Sequence, residues 1–270
     1  MIDSHCHLDN EIFASDREAV LSRARAVGIN AIVVPAVDVA SWQNILKLAQ
    51  QNHQPQCYVA LGLHPVSLLS NNQADDLKNL IKLDALARTS NIVAIGECGL
   101  DASIDLELAS FTRQEIILHY QIDLAFELDL PLILHARGKA AYRRLAALLN
   151  ETGVPNAGAV IHSYSGGVHM LSDFQHDHLY FGVTGPVTYP DTRRVHASVQ
   201  AISLQRLLIE TDAPDQTPVG HRPGRCEPAY LNDIAVAVAT IRNKKIEKIK
   251  AITQENTCAL FRINPLVNTP

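Results

Sequence analysis

Leu132-Ile133-Leu134-His135, followed by the amphipathic stretch 139–151 and then by Ala159-Val160-Ile161-His162, is a strand–helix–strand unit whose two strands both end on a histidine. Each short run is apolar on both faces, as parallel strands buried between helices require. The same alternation extends in both directions along the chain. Strands are predicted at Met1–Ser4, Ala31–Ala36, Cys57–Leu61, Ile92–Gly96, Leu132–Leu134, Ala159–Ile161, Leu179–Val183 and Leu207–Glu210. Helical periodicity fills the gaps, at Ser15–Val27, Ser41–Asn52, Ala74–Ser90, Glu107–Leu128, Lys139–Glu151, Gly167–Gln175, Asp191–Ile202 and Pro228–Arg242. Strands that alternate with helices imply βαβ units and a parallel sheet. Eight such units in 270 residues suit an α/β fold of the (β/α)8 TIM-barrel type better than an open sheet. A ninth helical pattern, Lys244–Phe261, is predicted to pack against the outside. No linker or internal repeat divides the chain, so residues 1–263 read as a single barrel domain and 264–270 as a C-terminal tail.

Composition narrows the class further. Hydrophobic residues make up 47% and aromatic residues 5%, which excludes disorder and leaves few platforms for stacking bases. The start, MIDSHCHLD, has neither the basic nor the apolar segment of a signal peptide, and no apolar run reaches membrane-spanning length. Five cysteines at 6, 57, 98, 226 and 258 are scattered and odd in number, which fits a reducing, cytoplasmic setting without disulfides. The net charge of −5 offers no global attraction to nucleic acid, although a local basic group and metal ions would suffice for a nucleic-acid substrate. No obligate protein partner is evident.

In a TIM barrel the chemistry lies at the C-terminal ends of the strands, and there the polar residues gather. The first strand ends in His5 and His7, the third in His64 and the fourth in Glu97; the fifth ends in His135, the sixth in His162 and the eighth in Asp212. His5 and His7 share a strand face because side chains alternate, while Cys6 points away. Glu97 offers two oxygens that can bridge two cations. No lysine occurs between Lys82 and Lys139, so a modified lysine is not available for that bridge. Asp212 is placed to hold metal and to take a proton from an attacking water. The set His5, His7, Glu97, His135, His162 and Asp212 therefore reads as a site for one or two divalent ions, of which zinc, magnesium and manganese all suit mixed nitrogen and oxygen donors. His64 divides between substrate contact and a structural turn.

Six segments in chain order spell a family: His5-Cys6-His7-Leu8-Asp9, Gly62-Leu63-His64-Pro65, Gly96-Glu97-Cys98-Gly99-Leu100-Asp101, Leu134-His135-Ala136-Arg137, His162-Ser163-Tyr164-Ser165-Gly166 and Glu210-Thr211-Asp212-Ala213-Pro214. Together they resemble the TatD family of metal-dependent deoxyribonucleases within the amidohydrolase-like barrels. The resemblance implies two ions, one held by His5, His7, Glu97 and Asp212 and the other by Glu97, His135 and His162, with His64 approaching a substrate phosphate. The segment Arg222–Pro228 resembles the family's RNEP loop, with Cys226 in place of its asparagine. Ala102 and Ser163-Tyr164 also depart from the usual pattern, and the stretch 184–190 resembles a YjjV-like branch.

The expected activity is a divalent-metal-dependent phosphodiesterase or deoxyribonuclease, of the 3'-5' exonuclease type on single-stranded DNA. It would use a metal-activated hydroxide, with Asp212 and Glu97 in catalytic roles and His64, Arg137 and Arg225 binding substrate. The expected partner is DNA or another phosphodiester. An amidase, lactonase or deacylase working on a carbonyl with the same centre is the alternative. Site charge separates the two, since DNA demands cations beyond the metals.

Overall fold

All eight apolar runs form strands. The computed structural model describes residues 1–51 and 53–264. The strands are β1 (Ile2–Asp3), β2 (Ala31–Pro35), β3 (Gln56–Leu61), β4 (Ala94–Asp101), β5 (Leu132–Arg137), β6 (Ala159–Ile161), β7 (Leu179–Val183) and β8 (Leu207–Ile209). Each pairs in parallel with the next, in the order β1 to β8. The ring is drawn together between β8 and β1 by loop bonds. Ser4 N–H donates to the Ile209 carbonyl at 3.4 Å and Asp212 N–H to the His5 carbonyl at 2.9 Å. The buried Asp3 carboxylate accepts Thr211 N–H at 2.9 Å and its hydroxyl at 2.5 Å. The barrel is nearly closed, as the repeating unit predicts.

Helices α1 (Arg17–Ala26), α2 (Trp42–Gln50), α3 (Asp76–Thr89), α4 (Phe111–Leu128) and α5 (Lys139–Thr152) follow the first five strands, with α6 (Val168–Leu171), α7 (Arg193–Ala201), α8 (Leu231–Ile241) and α9 (Ile246–Phe261) after the rest. Their buried stripes keep helical spacing, as with Trp42, Ile45 and Leu48 on α2. Boundaries shift from expectation where capping decides. α4 starts at Phe111 because the Ser110 hydroxyl accepts Arg113 N–H. α6 is shorter than the predicted 167–175, ending where the Ser172 hydroxyl turns back to the His169 carbonyl. The predicted end of α2 at Asn52, and the tail beyond Asn264, lie outside the described residues.

Two apolar clusters lie on the two faces of the sheet. One fills the layer between strands and helices. The other sits inside the barrel and contains Ile2, Ala31, Val33, Ala60, Ala94, Ile133, Val160 and Leu208, one or two residues from each of seven strands. Leu260, Phe261 and Ile263 complete this inner cluster. The chain reaches it because Arg262 adopts a left-handed conformation (φ 51°) and Ile263 N–H bonds back to the Cys258 carbonyl at 3.2 Å. The ninth helix is therefore more than the external addition its sequence suggested, since its C-terminal end plugs the barrel floor. Asn256 secures it, donating to the Leu204 and Leu207 carbonyls at 2.8 and 2.9 Å.

Phe261 is 2% exposed, and its truncation leaves a cavity under the strands. Phe261→Ala should cost about 3–5 kcal/mol in urea unfolding. A loss below about 1 kcal/mol would show that the plug is not part of the core.

Candidate metal centre

Period two carries the inner face of the strands from packed apolar residues to polar ones. Ile133 is followed in phase by His135 and Arg137, Val160 by His162, and Leu208 by Glu210 and Asp212. β4 breaks that rule. Between Ile95 and Cys98 it advances three residues while β5 advances two, from Leu132 to Leu134. This bulge carries Glu97, as bulges near functional sites often re-aim one side chain. Gly62 makes the detour possible, since a Cβ there would stand 2.5–2.7 Å from the backbone of Gly96 and Glu97.

Five imidazoles surround the two oxygens of Glu97, which is 2% exposed. Oε2 lies 3.3 Å from His5 Nε2 and 3.5 Å from His7 Nε2. Oε1 lies 2.9 Å from His135 Nδ1, 3.0 Å from His162 Nε2 and 3.3 Å from His64 Nε2. Asp212 Oδ1 completes the first group, 3.6 Å from His5 and 3.5 Å from His7, while the two Nε2 atoms are themselves 3.2 Å apart. These five separations run from 3.2 to 3.6 Å. Donors around a tetrahedral zinc, with bonds of about 2.0–2.1 Å, stand about 3.3–3.4 Å apart. Two imidazole nitrogens at 3.2 Å also repel unless a proton or a cation lies between them. The donor set His5, His7, Glu97 and Asp212 thus fits a cation, and Glu97, His135 and His162 gather a second set around the other oxygen.

Charge in the metal-free cluster follows from burial and pairing. Burial alone would raise the carboxyl of Glu97, but His162, His64 and His5 outweigh it and hold it well below the usual range. Asp212, buried among His162 and His7, is likewise held down to about 2. Burial works against charge on His7, yet Asp212 and Glu97 raise it to about 9. His64 differs, because burial dominates and lowers it to about 4. Its Nδ1 accepts Val66 N–H at 3.0 Å, so Nε2 carries the proton and points a donor at the centre. That tautomer suits contact with a substrate oxygen rather than metal ligation. His64 also caps the turn 65–69, as its structural reading expects.

The centre opens into a cleft of about 810 Å3 whose walls include His7, His64, Glu97, His135, Arg137, His162 and Asp212. Arg137 stands exposed at its mouth. Arg225, expected to bind substrate, is placed elsewhere: it donates to the Ile12 carbonyl, Asp16 and Glu227 and lies over Phe13. Glu227 is also gripped by Arg23 at 2.8 and 2.9 Å. The arginine and glutamate of this loop thus tie it to α1, and Arg225 does not line the cleft. Two carboxylates outside the predicted set stand behind its imidazoles. Asp101 Oδ2 is 3.2 Å from His135 Nε2, and Glu210 Oε1 is 3.4 Å from His162 Nδ1. The strand period gives Glu210 away. The bulge hides Asp101. Gly182 leaves the space Glu210 occupies, for a Cβ there would lie 2.3 Å from Oε1.

A parallel barrel with histidines and carboxylates converging at the C-terminal strand ends defines a metal-dependent hydrolase. The profile of the family described as "TatD related DNase" matches residues 2–262, and the chain belongs to that family. It is 32% identical to "Uncharacterized metal-dependent hydrolase YabD" of Bacillus subtilis, over 98% of this chain and all of the relative. It is 35% identical to "3'-5' ssDNA/RNA exonuclease TatD" of Pantoea ananatis, over 97% of this chain and 99% of the relative. The crystal structure of the TatD homologue YjjV from Escherichia coli superposes with a TM-score of 0.88 at 34% identity, covering 98% of each chain.

Imidazoles bind cations only when deprotonated, and His7 holds its proton to about pH 9 in the metal-free protein. Zinc uptake at about pH 7.5 should therefore release protons, with apparent affinity rising as pH rises. Calorimetry in buffers of different ionisation enthalpy checks this. An identical binding enthalpy in all buffers would contradict it.

Proposed function

We propose that the chain is a phosphodiesterase that removes nucleotides from the end of single-stranded DNA, with two divalent ions held on either side of Glu97. The observation that carries the reading is the division of that carboxylate: Oε2 faces His5 and His7, and Oε1 faces His135 and His162. His5, His7, Glu97 and Asp212 would hold one ion, and Glu97, His135 and His162 the other. When bound, such ions lower the pKa of water and neutralise charge on substrate oxygens. The relatives named single-stranded DNA/RNA exonucleases support a nucleic-acid substrate. Scattered free cysteines support a cytoplasmic setting, and no helix among the described residues is long and apolar enough to cross a membrane.

The chain's own residues then divide the work. Asp212, held as a carboxylate beside His7, is the acceptor for the proton of the attacking water. His64 Nε2–H donates to a non-bridging phosphate oxygen. Arg137, at the mouth of the cleft, offers a planar fork for that phosphate or its neighbour. Among the described residues Arg137 is the one lysine or arginine lining the cleft, whereas Asp9, Asp38 and Asp215 also line it. A long strand gripped through several phosphates would need more cations, so the cleft suits a terminus presented one phosphate at a time. Those wall carboxylates also favour a second reading, an uncharged carbonyl substrate such as an amide or lactone.

End-labelled single-stranded DNA, metal-stripped protein and separate additions of magnesium, manganese and zinc separate the two readings. Shortening from one end should require metal, and Asp212→Asn should slow it by about 10²–10⁴-fold. Arg137→Met should raise KM while leaving kcat nearly unchanged, since it removes binding shared by ground and transition states. Arg225→Met should leave KM alone and lower the melting temperature. No cleavage with any metal, from protein that hydrolyses an amide or lactone, would replace the phosphodiester reading with the carbonyl one.

A further inference from the structure

We propose that Asp101 is a positioning residue for His135, holding the outer nitrogen of that imidazole and so fixing which nitrogen carries the proton. Asp101 closes β4 and is 3% exposed. Its Oδ2 lies 3.2 Å from His135 Nε2, while His135 Nδ1 lies 2.9 Å from Glu97 Oε1. Its Oδ1 accepts both donors of Ser103, the backbone N–H at 2.7 Å and the hydroxyl at 2.6 Å. The backbone of Asp101 is clamped in turn by Gln114 on α4, whose side chain accepts from its N–H at 2.7 Å and donates to its carbonyl at 3.1 Å. Every part of this carboxylate is held except the oxygen facing the imidazole.

A carboxylate accepts and does not donate. Without a cation both nitrogens of His135 are therefore donors, Nδ1 to Glu97 and Nε2 to Asp101. A cation would take the place of the Nδ1 proton, and Asp101 keeps the remaining proton on Nε2, so that the lone pair of Nδ1 faces the centre. Outer carboxylates do this for metal-bound imidazoles in general, and their loss costs about 10–100-fold in metal affinity. Glu210 sits in a comparable place beside His162, but its oxygens are taken by Ser163 N–H at 2.6 Å and the Ser4 hydroxyl at 3.1 Å. The contact to His162 lacks hydrogen-bond geometry, so the role is assigned to Asp101 alone.

The asparagine variant separates proton control from shape. In Asp101→Asn one oxygen remains, and the two donors of Ser103 claim it. The new NH2 group then faces His135 Nε2, which must accept, so the ring proton moves to Nδ1 and blocks the nitrogen that faces Glu97. Asp101→Ala leaves the tautomer free. A structural role predicts that the isosteric asparagine is the milder change; proton control predicts the reverse.

The inference rests on the two-ion reading, and the test keeps the two apart. Metal-stripped wild type, Asp101→Ala and Asp101→Asn are titrated with zinc by calorimetry, and the His135 tautomer is read by 15N NMR of each zinc-treated protein. Wild type should bind two zinc ions, with His135 protonated at Nε2. The weaker zinc affinity should fall about 10–100-fold in Asp101→Ala and further in Asp101→Asn, where the ring proton moves to Nδ1. Fewer than two ions in wild type would overturn the two-ion reading and this inference with it. Two ions in wild type, with Asp101→Asn nearer to it than Asp101→Ala, would overturn the positioning role alone. If Asp101→Ala does not fold, an Asp101→Asn protein of wild-type melting temperature and unchanged affinity would overturn it equally.

Discussion

A buried carboxylate ringed by imidazoles is the constraint on which the rest of this structure depends. Glu97 is almost without solvent, and an ionised carboxyl in that position is tenable only if its charge is met on every side. Five histidines meet it, His135 from within β5 and the other four from just beyond the ends of β1, β3 and β6. Without a cation, the same atoms crowd nitrogen against nitrogen and must carry protons to remain together. With cations between them, their spacing is that of donors sharing an ion. The energetic problem and the proposed chemistry are the same feature, as they are at many sites where buried charge is tuned for function.

The barrel solves the problem by dividing labour along its axis. At the floor, small and branched apolar residues from the strands pack around Leu260, Phe261 and Ile263. At the rim the same inward phase delivers histidine and carboxylate, and each change from apolar to polar takes two residues. The polar half needs support from outside the barrel's own pattern. Asp3 grips Thr211 and so fixes the loop carrying Asp212, Arg23 and Arg225 grip Glu227 farther along that loop, and Ser103 grips Asp101. Each is a charged or hydroxyl group bound to something fixed, which is what precise placement of a site demands.

Most of the fold was legible in the sequence because its strands are buried on both faces and announce themselves as apolar runs. The ligand candidates were legible for the same reason: His135, His162 and Asp212 each end such a run, and the structure brings them together with His5, His7, His64 and Glu97. The misses share a cause. The bulge at Glu97 leaves no mark in composition, so the apolar run predicts an end to β4 at Gly96 when the strand continues to Asp101, and nothing local marks Asp101 as part of the site. The plug of α9 turns on a single left-handed residue, Arg262, which no periodicity marks. Arg225 looked like a phosphate ligand by its motif, but the sequence does not reveal that Asp16 and Glu227 stand close enough to occupy it. Local pattern reports which way a side chain faces, and long-range pairing decides what it meets.

The most direct test of the account is anomalous diffraction from crystals of the protein soaked in zinc. The account predicts two peaks, one among His5, His7 and Asp212 and one among His135 and His162, about 3.5–4 Å apart with the Glu97 carboxylate between them. A single peak, or ions that leave one Glu97 oxygen without a metal, would contradict it.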